Sequence, residues 1–87
     1  MLTVERLREL LDYDPETGVF RWKEPRRKCR VGEVAGSLRK DGYVKIQVDG
    51  RFYQAHRLAW LCVYGVWPSA IDHIDGNRAN NVIANLR

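Results

Sequence analysis

Eleven residues in the last quarter of the chain, IDHIDGNRANN from Ile71 to Asn81, hold two aspartates, one histidine and three asparagines. Asp72 followed by His73 is the pair with chemical reach. A carboxylate suits a hard divalent cation. A histidine, with an ordinary pKa of about 6.5, can take a proton from water near neutral pH. The neighbouring Asp75, Gly76, Asn77 and one of Asn80 or Asn81 are turn-forming types, so a polar loop accounts for them without any chemistry. It does not account for Asp72-His73 wedged between Ile71 and Ile74. One geometric difficulty stands: adjacent strand residues point to opposite faces. Both side chains reach one phosphate only if the strand ends or bends there, and Asp75-Gly76 predicts such a bend.

Other chemistries fail on spacing. An EF-hand loop with Gly76 at its sixth position would need acidic ligands at Ile71 and Val82. No glycine-rich phosphate loop and no nucleophile motif is present. Cys29 and Cys62 lie far apart, without a CxxC spacing, and read as free thiols of a reducing compartment. No apolar run approaches the ~20 residues of a membrane span, and nothing at the start resembles a signal peptide.

Charge points to a partner. The net charge is +4, yet residues 1–20 carry two basic against five acidic groups and residues 21–57 carry eleven against four. The excess is densest in RWKEPRRKCR, where Arg26, Arg27, Lys28 and Arg30 stand close together. A clustered basic stripe is a footprint of a polyanion, with a solvated loop as the plain alternative.

The elements that must position these groups follow from patterning. Eighty-seven residues suit one domain with a modest core. Thr3 can cap a helix on which Val4, Leu7, Leu10 and Leu11 share a face. DPETG reads as a turn and VFRW as a short strand. GYVKIQV and RFYQA flank Asp49-Gly50, the pair favoured for a two-residue type I′ turn. That register sets Val48 against Arg51, Ile46 against Tyr53 and Val44 against Ala55, leaving Lys45 on the polar face. Asp41-Gly42 predicts another tight turn after SLRK. HRLAWLCVYG has little polar face and predicts a buried central helix ending at Gly65. A short strand through Ile71 then carries Asp72 and His73. RANNVIANLR is at most weakly helical, anchored by Val82, Ile83 and Leu86. Trp60 and Trp67 read as packing residues.

QAHRLAW followed by PSAIDHIDGNRANNVIANLR resembles the HNH endonucleases of phages and mobile introns. LTVERLRELLDYDPETGVFRW and AGSLRKDGYVKIQV are also similar to small phage-type members, so the likeness runs over nearly the whole chain. It implies an α+β fold: an N-terminal helix, a small antiparallel sheet with a β-hairpin, a buried central helix and a ββα-metal (His-Me finger) motif. It implies a nuclease hydrolysing DNA phosphodiesters with a divalent metal, magnesium or manganese, with zinc as the alternative. By the same resemblance His73 is the general base, Asp72 the metal carboxylate, and Asn85 the middle letter that fixes the loop and orients the histidine. The family's last ligand falls roughly nine residues past Asn85. The chain stops at Arg87, so a single domain over residues 1–87 lacking the motif's last strand and helix is expected. Asn77 and Asn81 are auxiliary candidates. His56 is another, at the start of the central helix, where a helix N-terminus can hold phosphate or simply pack. Arg26, Arg27, Lys28, Arg30, Lys45 and Arg57 would grip the DNA backbone. The expected setting is the cytoplasm of a bacterial host, in a phage or prophage. The rival reading is a non-catalytic DNA-binding or assembly module that keeps the fold.

Overall fold

The first helix owes its start to a side chain. Thr3 accepts the Arg6 N–H at 3.2 Å, and α1 runs over Val4–Leu10 in a computed structural model that describes residues 2–25 and 28–87. Leu7 and Leu10 are buried on its inner face. Leu11, which shares the helical spacing, instead leaves in an extended conformation and opens a strand. This β1, Leu11–Asp14, pairs antiparallel with β2, Val19–Trp22, with Leu11 opposite Trp22 and Asp14 opposite Val19. Sequence spacing puts Leu11 in the helix and Asp14 in the turn. Pairing with VFRW decides otherwise, because it buries Leu11 and Phe20 while satisfying both backbones.

A three-stranded antiparallel sheet follows: β3 (Ser37–Leu38), β4 (Val44–Val48) and β5 (Arg51–Gln54), in that spatial order. The expected register holds, with Val48 opposite Arg51 and Ile46 opposite Tyr53. Asp49 and Gly50 both take positive φ, 50° and 79°, as a type I′ turn demands. Ala55, expected opposite Val44, begins a helix instead. Gly42, at φ 90°, turns the chain between β3 and β4.

The second helix, α2 (Ala55–Tyr64), ends where Gly65 adopts a left-handed conformation at φ 77°. Its buried residues, Ala55, His56, Leu58, Ala59 and Leu61, form one face against α1, β4 and β5. Val63 and Tyr64 are exposed, so the helix is covered on one side rather than all round. The two helices and small antiparallel sheets make an α+β fold, with Leu7, Leu10, Phe20, Ile46, Val48 and Leu58 at its centre. Among the described residues, no helix is long and apolar enough to cross a membrane. Trp60 and Trp67 pack against the core, and Cys29 and Cys62 are unpaired.

Candidate active site

The segment after α2 forms no strand of its own up to His73. Asp72 and Arg87 exchange both backbone hydrogen bonds (2.9 and 3.1 Å), Ile74 donates to the Asn85 carbonyl at 2.8 Å, and His73 bridges Leu86. Leu86, which is buried, anchors this short antiparallel pairing. A single turn of 3-10 helix, Ile83–Asn85, precedes it.

Between the two pieces lies a loop built by its own polar side chains. Asp75 accepts the Asn77 N–H (2.8 Å), the Asn80 amide (2.8 Å) and the Asn85 amide (3.0 Å). Those bonds hold its carboxyl below the usual range, the Asn80 contact contributing most. Asn85 returns a contact, its Oδ1 accepting the Asp75 N–H at 3.1 Å, and its amide also donates to the Asn80 carbonyl at 2.9 Å. Asn77 accepts the Ala79 N–H at 3.0 Å. Asn77 is therefore a turn former whose oxygen is already used. Asn85 thus ties Asp75 to the Asn80 carbonyl across the loop.

The histidine is oriented by a different asparagine. His73 is 5% exposed and its Nε2 lies 2.9 Å from Oδ1 of Asn81, itself 3% exposed. Asn85 meets the histidine's neighbourhood through backbone pairing and the loop, while the side chain on the ring is that of Asn81. Sequence alone makes Asn81 an auxiliary candidate, through its place in the motif.

Asp72 goes the other way. Its side chain is 73% exposed, one oxygen accepts the His73 N–H at 2.8 Å, and the other lies 3.9 Å from the Arg87 guanidinium. The bend expected at Asp75-Gly76 is present, with Gly76 at φ 76°, but it follows the pair and leaves the two side chains divergent. Among the described residues, no three His, Cys, Asp or Glu groups cluster to hold a metal. An ion held by Asp72 would take its other positions from water or phosphate oxygens.

Behind His73 stands a column of rings. His56 lies 4.8 Å from it and stacks on Tyr43 at 5.4 Å and 26°. Arg78 covers Tyr43 at 4.9 Å while donating to the Asp41 carbonyl at 2.8 Å. His56 is 6% exposed, so the structure makes it a packing residue, and the phosphate role at a helix start does not apply. Burial pushes its pKa down to about 4, with His73 and Arg57 acting in the same direction. Sequence reading places Arg87 in the motif without a role and gives none to Arg78. In the fold Arg87 lies beside Asp72, and Arg78 meets Tyr43 from a distant part of the chain.

The basic residues are divided. Lys28 and Lys45 line one groove of about 650 Å³ with Trp22, Val34, Gln47 and Phe52, and no lining residue comes from the loop carrying His73. Lys45 Nζ rests 3.8 Å over the Phe52 ring. Arg30 is exposed beside Glu33, which accepts its backbone N–H at 2.8 Å. Arg57 is not an open phosphate contact: its guanidinium turns to the Pro68 carbonyl (3.4 Å) and the face of Trp67 (5.8 Å). Arg26 and Arg27 lie outside the described residues.

The first hairpin braces the loop from behind. The Tyr13 hydroxyl donates to the Asn81 carbonyl, and Ile83 N–H donates to the Pro15 carbonyl at 3.0 Å. Gly18 sits so close that a Cβ there would fall 2.3 to 2.7 Å from the Asn81–Val82 peptide.

Comparison with known families matches residues 53–87 to the family described as HNH endonuclease. The match spans the end of β5, α2, the polar loop and the His73–Leu86 pairing, and it bears out the resemblance read from the motif. No curated protein and no solved structure matches the chain.

Proposed function

We propose, from a C-terminal segment that matches the HNH endonuclease family, that this chain hydrolyses DNA phosphodiester bonds with the help of a divalent metal. The observation that carries the reading is the His73–Asn81 contact, a histidine held by a buried 2.9 Å hydrogen bond inside the matched segment. His73 takes the proton of a water as the water oxygen bonds to phosphorus, the P–O bond to the sugar breaks, and the departing oxygen takes a proton from solvent. Asp72 would hold the ion, which supplies positive charge to the phosphate when bound. Magnesium or manganese suits a lone carboxylate better than zinc, which prefers nitrogen and sulfur donors. Arg87, 67% exposed beside Asp72, adds a cation for a phosphate oxygen. Asn85 and Asp75 keep the loop closed so that Asn81 keeps its place. Lys28, Arg30 and Lys45 hold DNA backbone without reading bases.

A second reading has its own support. The near-complete burial of His73 and the divergence of Asp72 suit a DNA-binding module that keeps the fold without the reaction. Cleavage of supercoiled plasmid with magnesium, manganese or chelator separates the two. We expect metal-dependent cutting that falls at least ~100-fold in His73→Ala, with DNA affinity within a few fold. Asp72→Asn should raise the metal concentration needed. Cutting by His73→Ala at the parental rate would refute the assignment. DNA binding with no cutting under any metal would favour the second reading.

A further inference from the structure

The neutral imidazole has one donor nitrogen and one acceptor nitrogen, and which is which decides where a water can lose its proton. His73 Nε2 faces an amide oxygen, an atom that only accepts. We propose that Asn81, braced by the β1–β2 hairpin, fixes His73 as its Nε2–H tautomer and leaves Nδ1 as the atom that takes the proton. The proposal rests on the reading of His73 as general base, and it makes Asn81 a positioning residue.

Three contacts make the brace. Tyr13 donates its hydroxyl to the Asn81 carbonyl, fixing the peptide on which the side chain is mounted. Burial raises the Tyr13 pKa, so the hydroxyl stays a donor through any working pH. Gly18, with φ 76° and no side chain, lets the hairpin turn lie flush against the peptide joining Asn81 to Val82. Pro15 takes the Ile83 N–H at 3.0 Å and closes the other side. The Asn81 amide thus points from a backbone held at its own carbonyl and at the peptide after Val82. Asn85, whose side chain is spent on Asp75 and the Asn80 carbonyl, does a separate job.

Imidazole nitrogen-15 spectra of the full, metal-free labelled chain at about pH 8 test this directly. Only two histidines are present, and His73→Gln assigns the second by its loss. The unmodified chain should show His73 with its proton on Nε2 and a pyridine-like Nδ1. Asn81→Asp keeps an acceptor at that point and should keep the proton on Nε2. Asn81→Ala should move both nitrogens toward the average of the two tautomers, and Tyr13→Phe should move them part of the way. An Nδ1–H ring in the unmodified chain overturns the proposal, as does loss of Nε2–H in Asn81→Asp or an unaveraged ring in Asn81→Ala. Should Asn81→Ala fail to fold, the spectra of the unmodified chain and Asn81→Asp decide it. Because no cleavage is read, a His73→Ala enzyme that still cuts would remove the reading of His73 as general base while leaving the tautomer assignment intact.

Discussion

His56 is buried between Tyr43 and His73, with Arg57 beside it on α2, and nothing in that setting welcomes a proton. Its pKa of about 4 in the fold lies below its ordinary 6.5, so acid favours the unfolded chain, which binds the proton more readily. Stability from this group is full above about pH 6.5 and is lost progressively as pH falls toward about 4. Between pH 7 and pH 5 the loss should be on the order of 2 kcal/mol, from about 1.36 kcal/mol per pKa unit. Asp75 acts in the same direction only at lower pH, because its carboxyl is already depressed from 3.8. Urea denaturation at the two pH values measures the slope. His56→Phe, which keeps a ring in the column without the titrating nitrogens, should flatten it. An equally steep slope in that variant would place the acid sensitivity elsewhere.

Elements whose shape is settled by neighbouring residues were legible, and those settled by distant partners were not. Asp49-Gly50 announces its hairpin because two positive φ values must fall on two adjacent residues, and the register then follows by counting. The Thr3 cap of α1 and the Gly65 cap of α2 were equally local. β1 was not, since Leu11 continues the helical spacing of Leu7 and Leu10 and only pairing with β2 pulls it away. The motif named Asp72, His73 and Asn85, but spacing could not say that Asp72 faces out or that Asn81 holds the ring. That depends on the Leu86 bridge and on Tyr13, a partner 68 residues from Asn81. Gly18 and Gly50 test the same distinction. Both take positive φ, 76° and 79°, yet a Cβ at Gly50 meets nothing within 4 Å while one at Gly18 meets backbone at 2.3 Å. Gly50→Ala should cost about 1 kcal/mol, the conformational penalty alone. Gly18→Ala should cost roughly 2–4 kcal/mol, because the clash is with main chain and the hairpin must lift from the loop. Equal midpoints in urea would show that the hairpin is not pressed against the Asn81–Val82 peptide.

Among the described residues, Lys28 and Lys45 line a groove that none of the candidate site residues lines. The basic excess lies in residues 21–57, and Lys28 and Lys45 from that stretch share the groove on the outer face of the three-stranded sheet. His73 and Asp72 lie with Leu86 and Arg87, and none of these lines the groove. A DNA backbone seated on the lysines would be held at a distance from the proposed chemistry, so affinity and cleavage should respond to different substitutions. Each phosphate neutralised by a cation contributes about 0.9 to the slope of log affinity against log salt on duplex DNA. Lys28→Gln with Lys45→Gln should therefore flatten that slope by up to about 1.8 and weaken binding at low salt. Arg57→Gln should leave the slope unchanged, because its guanidinium already faces the Pro68 carbonyl and Trp67. Metal-free titrations of duplex DNA, by fluorescence anisotropy at several salt concentrations, give all three slopes without any cleavage. A slope that falls in Arg57→Gln and holds in the lysine pair would move the DNA from the sheet groove to the start of α2.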